Sequence, residues 1–377
     1  MINKQYCLTS LSPIHVGSGT LFTQFDGVYQ DKRWYLIDLD RVLERNVDFN
    51  RLSREMSDRN FAWVTWLRQN SINPSDVEAY SCPCPEDPNN TPVREAIKNV
   101  YGKPYLPGTS VKGAIRTSLL NHFIRNENYI QPDKLEDLLF DDRNHLQGKR
   151  IEKLIFGKDP YNDLMRALHI SDTDPATIDD LEVGLAWTYT IRKESLVEKS
   201  EPNVGDYNTY LEWIRPNATM KLDIGIDEYL FSKQALNELR FNSEKEQALR
   251  QLSMICNNHS HDLIRREIEF YGKYNLPTIS DFYKDLETTL KELEEDAFLL
   301  NIGWGGGWEM KTTGDFVRST LGMEIFNEIR SDFGLGKNPK TDKVELNYPF
   351  PKSRKIGYEG GAPMWALGWL KVELINH

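Results

Sequence analysis

The segment Pro107-Gly108-Thr109-Ser110-Val111-Lys112-Gly113-Ala114-Ile115-Arg116 constrains this chain more than any other. A Pro-Gly turn breaks whatever precedes it and hands over to a helix, with Thr109-Ser110 as the expected N-cap. Lys112 and Arg116, at i and i+4, then share one face of a helix expected from Ser110 to about Ile124. Backbone N–H groups, a helix N-terminus and two cations together make an anion site. From Ala96 to Asn126 the chain carries Lys98, Lys103, Lys112, Arg116 and Arg125 and no Asp or Glu. The whole protein of 377 residues has 46 Lys+Arg against 57 Asp+Glu, a formal charge of −11. A local reversal of that sign calls for a polyanionic partner, and a sugar–phosphate backbone fits. Indiscriminate coating of nucleic acid is excluded by the acidic balance, whereas a focused groove is allowed, because screening confines each field to about 8–10 Å.

A second glycine-rich segment, Gly303-Trp304-Gly305-Gly306-Gly307-Trp308-Glu309-Met310-Lys311, lets backbone approach a ligand closely. Trp304 and Trp308 offer base-stacking faces or brace the loop from the core, and Lys311 adds a cation. The order is neither Gly-x4-Gly-Lys-Ser/Thr nor Gly-x-Gly-x-x-Gly. Gly17-Ser18-Gly19, expected as a turn after the first strand, invites a similar reading. His15 beside it is a general acid or base, a stacking ring, or a hydrogen-bonded structural residue. His122, His145 and His169 show no spacing for a catalytic triad. Cys82-Pro83-Cys84 has the wrong spacing for a zinc knuckle, so no metal site is read, and no cofactor. No apolar run reaches the ~20 residues of a membrane span, and the expected compartment is the cytoplasm.

Gln5–Leu11, Val28–Leu39, Ala167–Asp172, Leu185–Lys193, Ala218–Ile226 and Ala366–Leu374 read as strands. A helical patch is expected around Phe61–Leu67, and Cys82–Pro92 as an exposed proline-dense loop. Ser232–Glu295 reads as helical, with a capping box at Ser243 and a second helix opening at Ser280. Strands at both ends with helices between give an α+β class.

Taken together these residues resemble the RAMP superfamily of CRISPR-associated proteins. Leu11-Ser12-Pro13-Ile14-His15-Val16-Gly17-Ser18-Gly19 is similar to its opening strand and loop, and Pro107–Arg116 to its helix start. Leu300–Lys311 with Thr312 is similar to its glycine loop, and Leu367–Lys371 to its closing strand. Within the superfamily the whole chain is most similar to the subunit that caps the backbone of the type III-A (Csm) interference complex. Thr109 stands where Ser is common, and Gly306 makes the loop one glycine richer than the usual pattern. The resemblance implies tandem ferredoxin-like (RRM-like) RAMP domains, at 1–165 and 166–377, the second carrying a helical insertion at about 232–295. It also implies a non-catalytic subunit that grips the 3′ portion of the CRISPR RNA and supports its maturation. Its partners would be that RNA, the neighbouring Csm backbone and small subunits, and host trimming nucleases. Carried over, the RNA-binding set is His15, Gly17, Ser18, Gly19, Thr109, Ser110, Lys112, Arg116, Gly303, Trp304, Gly305, Gly306, Gly307, Trp308 and Lys311. Two other readings stay open: a metal-independent RAMP endoribonuclease with His15 as its acid or base, and a protein–protein adaptor whose glycine loops are only structural.

Overall fold

The computed structural model describes residues 2–45, 47–126, 129–140, 148–201, 205–239, 241–338 and 341–375. His145 lies outside them. The class is mixed α and β, as expected: among the described residues three larger sheets and one two-stranded ribbon, with helices packed on them.

The first sheet has five antiparallel strands in the order Phe298–Asn301, Trp369–Leu374, Ile2–Ser10, Thr219–Ile226 and Leu168–Ile170. The opening strand is central, with Tyr6 opposite Leu222 on one side and Leu374 on the other. The sheet thus takes one strand from before residue 165 and four from after it. Alternation decides its faces: Met220, Leu222 and Ile224 are buried while Thr219, Lys221 and Asp223 are exposed. The buried face covers the helix Gly108–Ile124 through Val111, Ile115, Leu119 and Phe123.

The second sheet runs Ala362–Ala366, Ser353–Glu359, Leu181–Arg192, Asn208–Ile214, Val93–Ala96 and Gly17–Phe22, with Ser195–Glu198 folded back on the long central strand. One of its faces packs on a helical hairpin, Leu252–Lys273 and Pro277–Lys291, where Tyr271 and Tyr283 stack at 5.8 Å. Arg354 of the sheet locks onto Glu267 of the hairpin, Nε to Oε2 at 2.9 Å and Nη2 to Oε1 at 2.8 Å, with its guanidinium 4.0 Å from the Phe270 ring centre. A third sheet, Gly27–Gln30, Arg33–Ile37 and Glu78–Pro83, packs on the helices Phe49–Met56 and Trp63–Gln69.

Several local expectations shift. Gly17–Gly19 is not a turn but the start of a strand, with Gly17 paired to Ala96. Cys82 and Cys84 are fully buried, because Cys82 lies opposite Trp34 in the third sheet; the exposed stretch begins at Pro85. Asn242, one residue earlier than Ser243, caps its helix by accepting the Lys245 N–H at 2.9 Å. Ser280 sits inside a helix that Pro277 opens.

His259, on the hairpin, is 9% exposed and its Nε2 has no partner among the described residues. Burial, then the charges of Arg266 and Arg125, push its pKa down to about 4. Above the ordinary imidazole pKa of 6.5 the ring is neutral folded or unfolded, so its contribution is fully present. As pH falls from there towards 4 only the unfolded chain gains the proton, and up to about 3 kcal/mol of stability is lost. Thermal melts at pH 7 and pH 4.5 should show a smaller acid-induced drop in His259→Leu than in the wild type.

Candidate nucleic-acid interface

A trough of about 450 Å³ opens between the glycine loop, the His15 turn and the helix Gly108–Ile124. Its floor is built from three chain segments that lie far apart in sequence. The Trp304 N–H donates to the His15 carbonyl at 2.8 Å, Ile302 N–H to the Gly368 carbonyl at 2.8 Å, and Gly368 N–H to the Pro13 carbonyl at 2.9 Å. Gly303 is compulsory in this weave: its φ is +71°, and a Cβ would stand 2.4 Å from the His15 carbonyl oxygen. The amides of Gly305 and Gly306 donate to no described residue.

The helix presents Ser110, Gly113, Ala114 and Thr117 to the trough, a set at i, i+3, i+4 and i+7. Lys112 and Arg116 lie about 200° and 240° round the helix from Ser110, at 100° per residue, and face away. Arg116 is a clamp: Nη1 meets Asp163 Oδ2 at 3.0 Å, Nη2 meets Glu152 Oε2 at 3.1 Å, and the guanidinium stacks 3.9 Å over Phe156. Burial lowers the Lys112 pKa, with Asp163 opposing. The helix N-terminus is also occupied. Asp172 Oδ1 accepts the Gly108 N–H at 2.8 Å, and Pro107, not Thr109 or Ser110, is the N-cap. The acid-free stretch in sequence is therefore neutralised in space by Glu152, Asp163 and Asp172. The structure brings His15, Gly17, Ser110, Gly303, Trp304 and Lys311 together at the trough and leaves Lys112 and Arg116 behind the helix. Thr109 is exposed outside it, as are Ser18, bonded to Glu95 Oε2 at 2.7 Å, and Gly19.

The two tryptophans divide their roles. Trp308 is a core ring, 4.9 Å from Phe350 and 6.1 Å from Phe326. Trp304 stands edge-on to His15 with Lys355 Nζ 5.2 Å from its ring centre. Lys311 Nζ donates to the Gly303 carbonyl at the trough's rim. Burial lowers the Lys355 pKa, and the charges of Lys199 and Arg94 add to it, so two further cations on the second sheet lie within electrostatic reach of the one beside Trp304. Sequence reasoning missed them. Their only signal is the strand alternation that turns Arg94 outward between Val93 and Glu95.

Behind His15 lies a buried polar network. Glu212 accepts from Tyr80 Oη at 2.5 Å, the Ala96 N–H at 2.9 Å and Lys98 Nζ. Burial raises the Glu212 pKa and Lys98 opposes it. Lys98, one of the cations in the acid-free segment, is thus internal. His15 Nδ1 bonds the Glu212 carbonyl at 2.6 Å, and burial lowers the ring's pKa, helped by Arg94 and Lys98.

Two substitutions test the loop. Gly303→Ala forces backbone against the His15 carbonyl and should cost ~2 kcal/mol or more in denaturant unfolding. Gly307→Ala has the same φ of +71° but open space around it, and should cost only ~1 kcal/mol.

Residues 7–311 match the RAMP superfamily. A Methanocaldococcus jannaschii protein named CRISPR system Cms protein Csm5 is 28% identical, covering 97% of this chain and 88% of its own length. A Streptococcus thermophilus protein of the same name is 26% identical over 58% of this chain and 62% of its own. Among solved structures, a chain of a cryo-EM Csm-crRNA-target RNA ternary complex of a type III-A CRISPR-Cas system superposes with a TM-score of 0.72 at 22% identity, covering 99% of this chain and all of that one. The crystal structure of T. onnurineus Csm5 gives 0.66 at 19% identity, over 97% and 99% of the two chains. The match over most of its length establishes that this chain belongs to the RAMP superfamily.

Proposed function

We propose that this protein is an RNA-binding subunit of a type III-A CRISPR effector complex, seated at the 3′ side of the CRISPR RNA. It would cap the filament of backbone subunits there and support maturation of the RNA's 3′ end, without chemistry of its own. One observation carries this reading: in a protein of net charge −11, no carboxylate lines the trough among the described residues. The lining instead offers Gly303 of the glycine loop, the Ser110 and Thr117 hydroxyls, Lys311 and the Trp304 face, with Arg94, Lys199 and Lys355 adding positive charge over the second sheet. That is the chemistry of a phosphate track with a stacking platform. The proteins it resembles are named for CRISPR complexes, which supports the assignment of the strand. The five-stranded sheet would contain one ferredoxin-like unit, with the opening strand between Thr219–Ile226 and Trp369–Leu374.

A salt titration tests this. Retention of single-stranded RNA on filters should fall steeply with KCl, with a log–log slope of about −0.7 per phosphate engaged. Lys311→Ala with Lys355→Ala should weaken binding and flatten that slope by one to two contacts' worth, roughly 0.7–1.4. Lys112→Ala, on the far face, should leave both unchanged. Binding indifferent to salt would overturn the reading.

The endoribonuclease reading keeps one favourable observation, a neutral imidazole at the trough, which is the protonation state a general base needs. Incubation with precursor repeat RNA in EDTA should give no discrete products. Specific cutting abolished by His15→Phe would reverse the assignment.

A further inference from the structure

Two side-chain acceptors without a partner among the described residues lie at the trough, the buried Asn301 Oδ1 and a nitrogen of His15, and the second carries more information. A carbonyl oxygen can only accept, so the 2.6 Å contact between His15 Nδ1 and the Glu212 carbonyl fixes the proton on Nδ1. Nε2 is then a bare lone pair. The ring is 4% exposed and lines the trough, so what remains accessible of it faces that space. The bond through Nδ1 is the one hydrogen bond the ring makes among the described residues. Gly17 keeps it uncovered: a Cβ at residue 17 would stand 2.9 Å from Nε2.

A lone pair is the wrong group for a phosphate, since two acceptors repel. Lys311 and the Ser110 hydroxyl suit phosphate; Nε2 requires an O–H or N–H donor. Along a nucleic-acid strand the donor that recurs at every nucleotide, whatever its base, is the ribose 2′-hydroxyl. Protonation would erase this distinction by turning Nε2 into a donor. Burial is the largest influence and opposes it; the Glu212 carbonyl, next in size, favours the proton, and the positive charges of Arg94 and Lys98 add smaller opposition, leaving the ring's pKa lowered.

We propose that His15 is the sugar reader of the trough: its Nε2 accepts a hydrogen bond from one 2′-hydroxyl of the bound strand and so favours RNA over DNA. The proposal rests on the RNA-binding reading above and adds to it a residue that senses the sugar, not the charge. Gly17 is a positioning residue in this scheme, required because it lacks a side chain.

The test is an equilibrium titration of labelled single-stranded RNA carrying one 2′-deoxy or 2′-fluoro substitution at successive positions. The fluoro sugar keeps the ribose pucker while deleting the donor. One position, or two adjacent ones, should show binding weakened about fivefold by either substitution, as expected for one neutral hydrogen bond. The position-specific loss should vanish in His15→Phe, and also in Gly17→Ala, whose methyl covers Nε2. Both variants should keep the wild-type salt slope, which a general structural defect would alter. If His15→Phe does not fold, the substituted strands on wild-type protein and Gly17→Ala carry the test. Equal binding of all-ribose and all-deoxyribose strands by the wild type overturns the proposal and leaves the RNA-binding reading intact, as does a positional loss that persists in both variants. Retention of neither strand at low salt overturns the RNA-binding reading, and the proposal with it.

Discussion

A small weave of backbone hydrogen bonds holds the rest in place: Leu11 N–H to the Trp369 carbonyl, Gly368 to Pro13, Ile302 to Gly368 and Trp304 to His15, all at 2.8–2.9 Å. Each contributes about 1 kcal/mol net, yet leaving any of these groups unpaired would cost more than the bond itself adds. The weave exists because the first sheet sets Phe298–Asn301 beside Trp369–Leu374 beside Ile2–Ser10. The residues just beyond each strand then emerge at the same edge. His15, Gly303 and Gly368 are neighbours for that reason alone, and the trough is the space above them.

Charge is arranged around the same point. Cations that sequence places in one acid-free run are mostly turned to internal use, Lys98 on Glu212 and Arg116 on Glu152 and Asp163. Arg354 and Glu267 form a further pair with little exposure, and removing one partner would leave a buried charge uncompensated. What is left facing the trough is modest in number, and no carboxylate lines it among the described residues. A weak positive field inside a low-dielectric cleft on an acidic body favours a strand that fits it over loose contact elsewhere.

Much of the frame was legible in the sequence. Period-two alternation in Ala218–Ile226 and the apolar spacing of the long helices reported their buried faces directly, because those patterns are local. The Pro-Gly signal located the helix start to within a residue or two. The glycine loop was legible as a place of close backbone approach, since few other roles tolerate so many glycines in succession. The electrostatics were not. Arg116 meets acids 36 and 47 residues further on, and no inspection of its sequence neighbours reveals them. The helix face was misjudged for a related reason: Lys112 and Arg116 carried the chemistry that attracts attention, while the small residues Ser110, Gly113, Ala114 and Thr117 leave the room a ligand needs. Arg94, Lys199 and Lys355 come from three separate segments and come within electrostatic reach of one another only through the pairing of the second sheet. Trp304 and Trp308, four residues apart in one motif, look equivalent until packing sends one to the core.

The central position of the opening strand has a consequence for biosynthesis. As the ribosome makes the chain, Ile2–Ser10 has no strand to pair with until residue 219 is translated, and none on its other side until residue 369. The floor of the trough consequently cannot assemble before Trp369–Leu374 has been made and has paired with the opening strand.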